Sequence, residues 1–417
     1  MVANDLSKLA KRIQGVHSDA GTWGVLWWFA RYPPNAIANR FVRSRSLTRQ
    51  DLQNLESSCS AIWYLEDAEA IKISYSSEKE RRLFGKYPNK FSPCRSFVCD
   101  IVDCHIVGPN AVALTNGNVI TETVHLPRFD LDVLKRPTES HVTPSVLIEF
   151  VRALSASTSD REHYDFDCIF PLVCQDQSYY HWIVEYLPKI RLLEYYQDRT
   201  GRQPTILVEP EARDFILESL ELVGYGSNMC REWDGTHGTV KHLALPSHQC
   251  HVLDPHVPSQ SEYHPSRSEL QWLRSRMRAS IDTDIPADEE TRIYVSRQEA
   301  DSDRGRKVVN YDELMNALRD RGFKSYTLEN LDFKEQIELF ADARVVVGPH
   351  GAGLVNILFS DEPLLIELFP QHRSEPYFHH ICRMFNAEYE PIVTEVEGDN
   401  LVVDVPSLTA RLDELGV

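Results

Sequence analysis

Short apolar runs alternate with amphipathic segments along two long stretches of the chain. In the last third, β-branched and aliphatic runs predict buried strands, and apolar residues every three or four positions predict helices between them. The predicted strands are residues 292–296, 325–328, 345–347, 364–368 and 389–393, and the predicted helices are 266–279, 311–321, 333–342, 354–359, 377–385 and a terminal one from 406. This alternation is typical of a parallel, doubly wound sheet.

The same alternation begins near residue 146. Helices are predicted at 146–154, 178–196 and 211–223, and strands at 170–173, 206–208 and 240–245. Residues 60–135 are predicted to be β-rich, because Asn116-Gly117 lies between alternating runs and favours a hairpin. They form either a small subdomain or an extension of the first sheet. We therefore expect an N-terminal helical segment at 1–58, a β-rich subdomain at 59–140, and Rossmann-like domains at 141–262 and 263–417.

Composition narrows the class of protein. The chain has 417 residues, 42% of them hydrophobic, and a formal net charge of −18. Such acidity argues against a nucleic-acid partner, which requires a basic face. No apolar run approaches the ~20 residues that span a bilayer. The start of the chain has no apolar segment typical of a signal peptide, so we expect a cytoplasmic location.

The first fifty residues are basic, in contrast to the rest of the chain. An aromatic segment, residues 23–30, lies among them. Basic flanks around an aromatic segment are typical of peripheral contact with a membrane interface. The alternative is a helix that packs on the protein body with its arginines in solvent.

A candidate anion site lies in residues 344–370, which predict a strand, a small-residue turn, a helix and a second strand. The turn reads Gly348-Pro349-His350-Gly351-Ala352-Gly353, and Asn356 follows in the helix. The first amides of a helix carry partial positive charge, and glycines let a phosphate approach the backbone. We predict that Gly348, His350, Gly351, Ala352, Gly353 and Asn356 contact the phosphates of a nucleotide. The alternative is that the glycines only allow close packing of helix and strand.

Acidic and basic side chains at the same sheet edge extend this site. Glu367 ends an otherwise apolar strand, where a carboxylate can accept the hydroxyls of a ribose; the alternative is an ion pair with a nearby arginine. Arg297 follows the strand at 292–296 and suits a diphosphate, unless it forms only a surface ion pair. Arg304 and Arg306 in the next loop add charge, or are solvated.

Candidate acid–base residues lie in the earlier half. His181 and Glu185 are four positions apart on a predicted helix, so they share one face. A histidine oriented by a carboxylate suits general base catalysis near neutral pH, and Asp176, just before the helix, is a second candidate. The alternative is that His181 is a half-buried structural residue.

The motif VVVGPHGAGLVN followed by LLIEL, with IYVSR and SYYHWIVEYLPKI before it, resembles glycosyltransferase family 61. The resemblance covers roughly residues 170–391. That family includes xylosyl- and N-acetylglucosaminyltransferases, together with uncharacterised prokaryotic members. The resemblance implies a GT-B-like fold, with two Rossmann-like domains facing across a cleft.

The function expected from this resemblance is inverting sugar transfer, as in polysaccharide biosynthesis. A UDP-linked sugar would be the donor, and a glycan, glycolipid or protein hydroxyl the acceptor. Of several Asp-x-Asp triplets, only Asp301-Ser302-Asp303 is near the predicted site, and arginine and helix amides neutralise phosphate there. We therefore expect no metal and no other cofactor.

Two other functions remain open from the sequence. A dinucleotide-dependent oxidoreductase would also use a Gly-x-Gly turn, but Gly351-Ala352-Gly353 lacks the third glycine of that fingerprint. A non-catalytic module that binds a nucleotide or sugar would share the fold and bind UDP without transferring a sugar.

Overall fold

The structure, a computed structural model, consists of two α/β halves that each contain a sheet. It describes residues 46–47, 49–52, 59–65, 71–87, 89–91, 95–123, 163–174, 177–247, 251–252, 262–263, 266–281, 291–299, 305–372 and 375–417. The N-terminal segment predicted to be helical, apart from a few residues near 50, and the predicted helix at 146–154 lie outside these residues.

The first half contains a sheet of nine described strands. The strands of this half are β1 Ser46–Leu47, β2 Cys59–Tyr64, β3 Ile71–Lys72, β4 Lys90–Phe91, β5 Phe97–Val107, β6 Val112–Thr115, β7 Asn118–Ile120, β8 His163–Pro171, β9 Thr205–Val208, β10 Cys230–Glu232, β11 His237–Pro246, β12 His251–Val252 and β13 Glu262–Tyr263. The order in the large sheet is β1-β7-β6-β5-β11-β8-β9-β10, with β2 also on β5, while β3–β4 and β12–β13 form separate pairs.

The helices of the first half cover this sheet. They are α1 Arg49–Leu52, α2 Glu78–Phe84, α3 Tyr179–His181, a π-helix at Trp182–Tyr186, a 3-10 turn at Leu187–Lys189, α4 Ile190–Thr200 and α5 Asp214–Leu222, with further 3-10 turns at Thr121–Thr123 and Ser227–Met229.

Of the two possibilities for the β-rich region, the structure contains the second, an extension of the first sheet. β5 pairs antiparallel with β11 along nine residue pairs and joins β2, β6 and β7 to the α/β part. The expectation of a parallel sheet is corrected for this half: the sheet is mixed, with parallel pairing among β11, β8, β9 and β10 and between β1 and β7. The predicted hairpin is confirmed: Asn116 and Gly117 have φ of 50° and 70°, the left-handed pair that a tight turn requires.

The second half matches the predicted alternation closely. Its elements are α6 Arg267–Arg278, β14 Thr291–Val295, α7 Tyr311–Arg319, β15 Lys324–Tyr326, a 3-10 turn at Leu328–Asn330, α8 Phe333–Asp342, β16 Ala343–Pro349, a 3-10 helix at Ala352–Phe359, β17 Leu364–Pro370, α9 Tyr377–Met384, β18 Glu388–Glu397, β19 Asn400–Val402 and α10 Val405–Glu414. A capping box at Asp332 and Glu335 fixes the start of α8.

The strand order of the second sheet determines where a ligand can bind. The order is β15-β14-β16-β17-β18-β19, and all pairs except β18–β19 are parallel. Numbered in chain order from β14, the five parallel strands lie in the order 2-1-3-4-5. The crossover connections therefore leave β14 and β16 in opposite directions. In open parallel sheets, ligands bind at the carboxyl end of such a switch point.

The two halves share one hydrophobic core. Trp182 and Tyr196 of the first half belong to the same buried cluster as Val295 and Phe333 of the second. Within the part of the chain that the structure describes, no helix is long and apolar enough to cross a membrane.

Candidate active site

Arg297 and the Gly-rich turn meet at the switch point of the second sheet. Arg297 lies just after β14, and the turn follows the adjacent strand β16. A Cβ atom built on Gly351 would lie 2.6 Å from Arg297 Nη1 and 3.3 Å from its Cδ, so the guanidinium packs directly over the turn. The predicted association of Arg297 with this turn is therefore present in the structure.

The three glycines of the turn have different roles. Only Gly351 makes room for the arginine, in an extended conformation that any residue adopts. A Cβ on Gly353 would lie 2.6 Å from Leu328 Cδ1, and one on Gly348 would lie 3.1 Å from side chains of Leu354 and Val295. Gly348 and Gly353 therefore allow close packing of the turn, which was the alternative to contact with a phosphate.

The helix after the turn is tighter than predicted. Residues Ala352–Phe359 form a 3-10 helix rather than an α-helix, and Gly351 is its N-cap. Its first amides have no partner within the helix. Ala352 and Gly353 are partly exposed and follow Gly351, which packs against Arg297, so this end of the helix suits an anion.

The His350 ring is held in place by a buried carboxylate. Its Nδ1 is hydrogen-bonded to Glu367 Oε1, and Tyr389 Oη donates to Glu367 Oε2 over 2.6 Å. His350 and Glu367 are only 4% and 0% exposed. Because Nδ1 is engaged by the carboxylate, Nε2 is the ring nitrogen left to meet a ligand.

The predicted role of Glu367 is corrected by this arrangement. A ribose requires a carboxylate that solvent can reach, whereas Glu367 is fully buried with both oxygens bonded inside the protein. The alternative, an ion pair with an arginine, correctly gave Glu367 a basic partner inside the protein, but that partner is His350. Tyr389 has its pKa raised well above 10, by burial and by the adjacent Glu367, so its hydroxyl remains protonated.

The predicted pair on the earlier helix is also present. His181 Nδ1 and Glu185 Oε1 lie 2.5 Å apart, and the His181 side chain is 32% exposed. Glu185 belongs to the π-helix Trp182–Tyr186, which interrupts the α-helical path directly after His181. π-Turns of this kind are frequent at functional sites. Because Glu185 engages Nδ1, Nε2 is the nitrogen through which His181 would exchange a proton with a bound molecule.

Aromatic side chains connect the two histidines across the boundary between the halves. Tyr180, next to His181, has its ring centroid 5.2 Å from that of Tyr377. Tyr377 stacks on His350 with a centroid distance of 6.4 Å. His181 and the Gly-rich turn therefore lie in the same region of the molecule, although 169 residues separate His181 from His350 in the sequence.

Asn356 belongs to a contact between the halves, not to the predicted nucleotide site. It is 0% exposed, and its Oδ1 accepts from Tyr179 Oη over 2.7 Å. Its Nδ2 donates to Gln336 Oε1 over 3.0 Å. Burial raises the pKa of Tyr179 well above 10, so the tyrosine acts as a neutral donor. This network ties the His181 helix to the 3-10 helix after the turn.

Of the other two predicted basic residues, Arg304 and Arg306, the structure describes only Arg306. Arg306 is only 9% exposed and follows Gly305 in a left-handed turn, where its amide donates to Asp399 O over 2.7 Å. The alternative of a solvated Arg306 is therefore wrong, and its contact with the nucleotide stays a prediction. The loop follows β14, so it lies at the same carboxyl edge as the Gly-rich turn. Arg304, Asp176 and the Asp301–Asp303 triplet lie outside the described residues.

A buried charge cluster behind the site was not predicted. Glu80 of α2 accepts from Arg383 Nη2 over 2.6 Å and is 3.0 Å from His379 Nε2. Burial opposes ionisation of Glu80, but hydrogen bonds from His379 and Ser76 outweigh it and lower its pKa to about 2. Because 299 residues separate Glu80 from His379, no spacing rule predicts this contact.

A buried lysine was also missed beside the His181–Glu185 pair. Lys189 is 5% exposed, and burial lowers its pKa to about 8 against the opposing charges of Glu185 and Glu122. Its spacing of four from Glu185 was the available signal. In the part of the chain that the structure describes, no three His, Cys, Asp or Glu side chains group as metal ligands.

The comparisons with known proteins indicate a class of enzyme, the glycosyltransferases. Residues 179–366, fewer than half of the 417 residues, match the family model described as Glycosyltransferase 61. The resemblance identified from the sequence is thus confirmed.

A curated relative carries a related name. The chain is 31% identical over 98 residues to the EGF domain-specific O-linked N-acetylglucosamine transferase of Gallus gallus. The aligned stretch covers 22% of this chain and 18% of the relative.

Proposed function

We propose that this chain is an inverting glycosyltransferase of the two-domain GT-B type, with a UDP-linked sugar as donor. The observation that carries the proposal is the Arg297 guanidinium packed over Gly351 at the switch point of the second sheet. The match to the glycosyltransferase 61 family supports the class of reaction. The donor would bind to the second half, and the acceptor to the first.

The donor diphosphate would lie against Arg297 and the first amides of the 3-10 helix Ala352–Phe359. As the bond between the anomeric carbon and the phosphate oxygen breaks, its electron pair stays on the diphosphate. Preorganised amides and a guanidinium stabilise charge that develops there, and such groups often supply the largest part of the rate enhancement. His350 Nε2 would add a hydrogen bond from the same turn.

The acceptor hydroxyl would be activated by His181. Its proton passes to His181 Nε2 while its oxygen forms the new bond to the anomeric carbon from the face opposite the leaving group, which inverts the configuration. Glu185 holds the ring through Nδ1 and stabilises the imidazolium that forms. The charge balance of this scheme requires no metal, since arginine and main-chain amides accept the developing phosphate charge.

The acceptor class that we propose is a hydroxyl of a glycan, a glycolipid or a protein. The name of the Gallus gallus relative refers to O-linked transfer of N-acetylglucosamine to an EGF domain, which motivates including a protein among the candidate acceptors. A cytoplasmic location, with peripheral membrane contact through the basic N-terminal segment, remains part of the proposal.

The test is a thermal-shift panel of nucleotides and nucleotide-sugars on the wild type, Arg297→Ala and Arg319→Ala. UDP compounds should stabilise the wild type and the Arg319 control, whose arginine is exposed on α7. Loss of a charged hydrogen bond should weaken UDP binding to Arg297→Ala about tenfold or more. No stabilisation of the wild type by any UDP compound would count against the proposal.

A further inference from the structure

A second concave site lies at the opposite edge of the second sheet. It is a cavity of about 440 Å³ between α6 and the segments that lead into β17 and β18. Arg267, Arg274 and Arg278 of α6 line one wall, and Asp361 and Phe385 line the other. The volume is within the range of small-molecule sites, roughly 300–1,000 Å³.

The cavity is separate from the donor site. Asp361 precedes β17 and Phe385 precedes β18, so the cavity is at the amino ends of the parallel strands, whereas Arg297 and the Gly-rich turn are at their carboxyl ends. β17 has seven residues, so the two edges are roughly 20 Å apart. A ligand in the cavity would not touch the residues proposed for catalysis.

The arginines are fixed by the protein but only partly neutralised. Arg274 and Arg278 each bond a different oxygen of Asp361, the latter over 2.7 Å, and Arg278 Nη1 also donates to Phe359 O over 2.7 Å. The Arg274 and Arg278 side chains are only 13% and 25% exposed. Arg267 is exposed at the cavity rim. Three guanidinium groups and one carboxylate leave a net charge of +2 on the lining of a chain whose formal charge is −18.

We propose that this cavity binds a sugar-sized phosphate monoester. A phosphate monoester carries about −1.5 to −2 charges at neutral pH, which matches the lining. Guanidinium groups held in place by Asp361 and by a carbonyl bind phosphate oxygens with fixed geometry. Gln271, Ser275 and Asn386 supply amide and hydroxyl groups for sugar hydroxyls, and the Phe385 ring offers an apolar face.

Substitutions of Arg267 and of the competing carboxylate, Asp361, should change the affinity for the phosphate in opposite directions, and this tests the proposal. Calorimetric titration of the full chain with glucose 6-phosphate should show binding that Arg267→Ala weakens about tenfold. Asp361→Asn should instead strengthen binding several-fold, because it removes the carboxylate that competes with the phosphate for Arg274 and Arg278. Arg319→Ala, an exposed arginine on α7, should leave the affinity unchanged.

Several results would overturn the proposal. One is the absence of binding heat with glucose 6-phosphate; another is equal affinity for inorganic phosphate, which lacks the sugar. Displacement by UDP would place the binding at the carboxyl edge instead. If Asp361→Asn destabilises the fold, the exposed Arg267→Ala variant still decides the question, since unchanged affinity in that variant contradicts the assignment. The outcome does not depend on whether the chain transfers sugars.

Discussion

Two histidine–carboxylate pairs in this protein have the same chemistry and opposite environments. His181 and Glu185 lie one turn apart on a single helix, with the imidazole 32% exposed. His350 and Glu367 come from a turn and a strand, and they are 4% and 0% exposed. In both pairs Nδ1 is the ring nitrogen that faces the carboxylate.

The difference in burial indicates different work for the two rings. An exposed imidazole can exchange a proton with a substrate hydroxyl and then with water, as a general base must. A buried imidazole clamped between Glu367 and aromatic rings is held in one orientation, which suits a fixed hydrogen bond to a phosphate. The comparison supports our proposal that His181 transfers the proton and that His350 is a positioning residue at the leaving group.

The largest expected effect comes from His181→Ala. We expect sugar transfer to fall about 10²- to 10⁴-fold, the usual contribution of a general base, while UDP binding stays near wild type. Steady-state transfer assays and thermal shifts with UDP measure the two quantities. Arg319→Ala, at an exposed arginine on α7, is the control. Unaltered transfer in His181→Ala would reassign the base.

Removal of the carboxylate from each pair should lower the free energy of unfolding by different amounts. Glu367→Ala leaves His350 and Tyr389 buried without their shared acceptor, which should cost about 3–5 kcal/mol of unfolding free energy. Glu185→Ala should cost only about 1 kcal/mol, because its partner is partly solvated. Urea denaturation of both variants measures the difference. Similar losses would mean that the two pairs are not distinguished by burial.

A third pair, Glu80 and His379, extends the comparison to full burial and gives a pH dependence. The pKa of Glu80 is lowered from 4.5 to about 2 in the folded state. The folded state therefore binds fewer protons, so this stabilisation is present above pH 4.5 and is lost as the pH falls toward 2. The loss should be about 3 kcal/mol.

Urea denaturation across this pH range compares the wild type with Glu80→Gln. The variant should lack most of the acid dependence that Glu80 contributes. An unchanged pH profile would show that the carboxyl group is not stabilised in its charged form by His379 and Arg383.

The smallest expected effects distinguish two of the three glycines of the turn, Gly351 and Gly353. In Gly351→Ala the new methyl meets the end of the Arg297 side chain, so the fold should survive while UDP affinity falls. In Gly353→Ala the methyl meets Leu328, which should cost about 1–3 kcal/mol of stability. Thermal unfolding with and without UDP measures both. A stability loss confined to Gly351→Ala would reverse these assignments.

Much of the second half could be predicted because its signals are local. The strand and helix positions follow from apolar periodicity, which depends on neighbours within a few residues. The pairing of His181 with Glu185 follows from their spacing on a helix. The association of Arg297 with the Gly-rich turn followed from one assumption, that their two strands are parallel.

The missed contacts are those that no short-range pattern encodes. Tyr389 reaches Glu367 because β18 pairs with β17 in a register that sets Glu367 opposite Pro391, two positions after Tyr389. That register is a property of the whole sheet. Likewise, the sequence left open whether the β-rich region is a subdomain or an extension of the first sheet, because it does not reveal that β5 pairs with β11.

The sequence by itself determined the alternation of elements, the Gly-rich turn around Gly351 and the pairing of His181 with Glu185 on one helix face. Only the tertiary structure decided that Glu367 serves His350, that Asn356 joins the two halves and that Glu80 lies beside His379. The physical reason is range: periodicity and helical spacing act over a few residues, whereas burial of a charge depends on which distant side chains close around it.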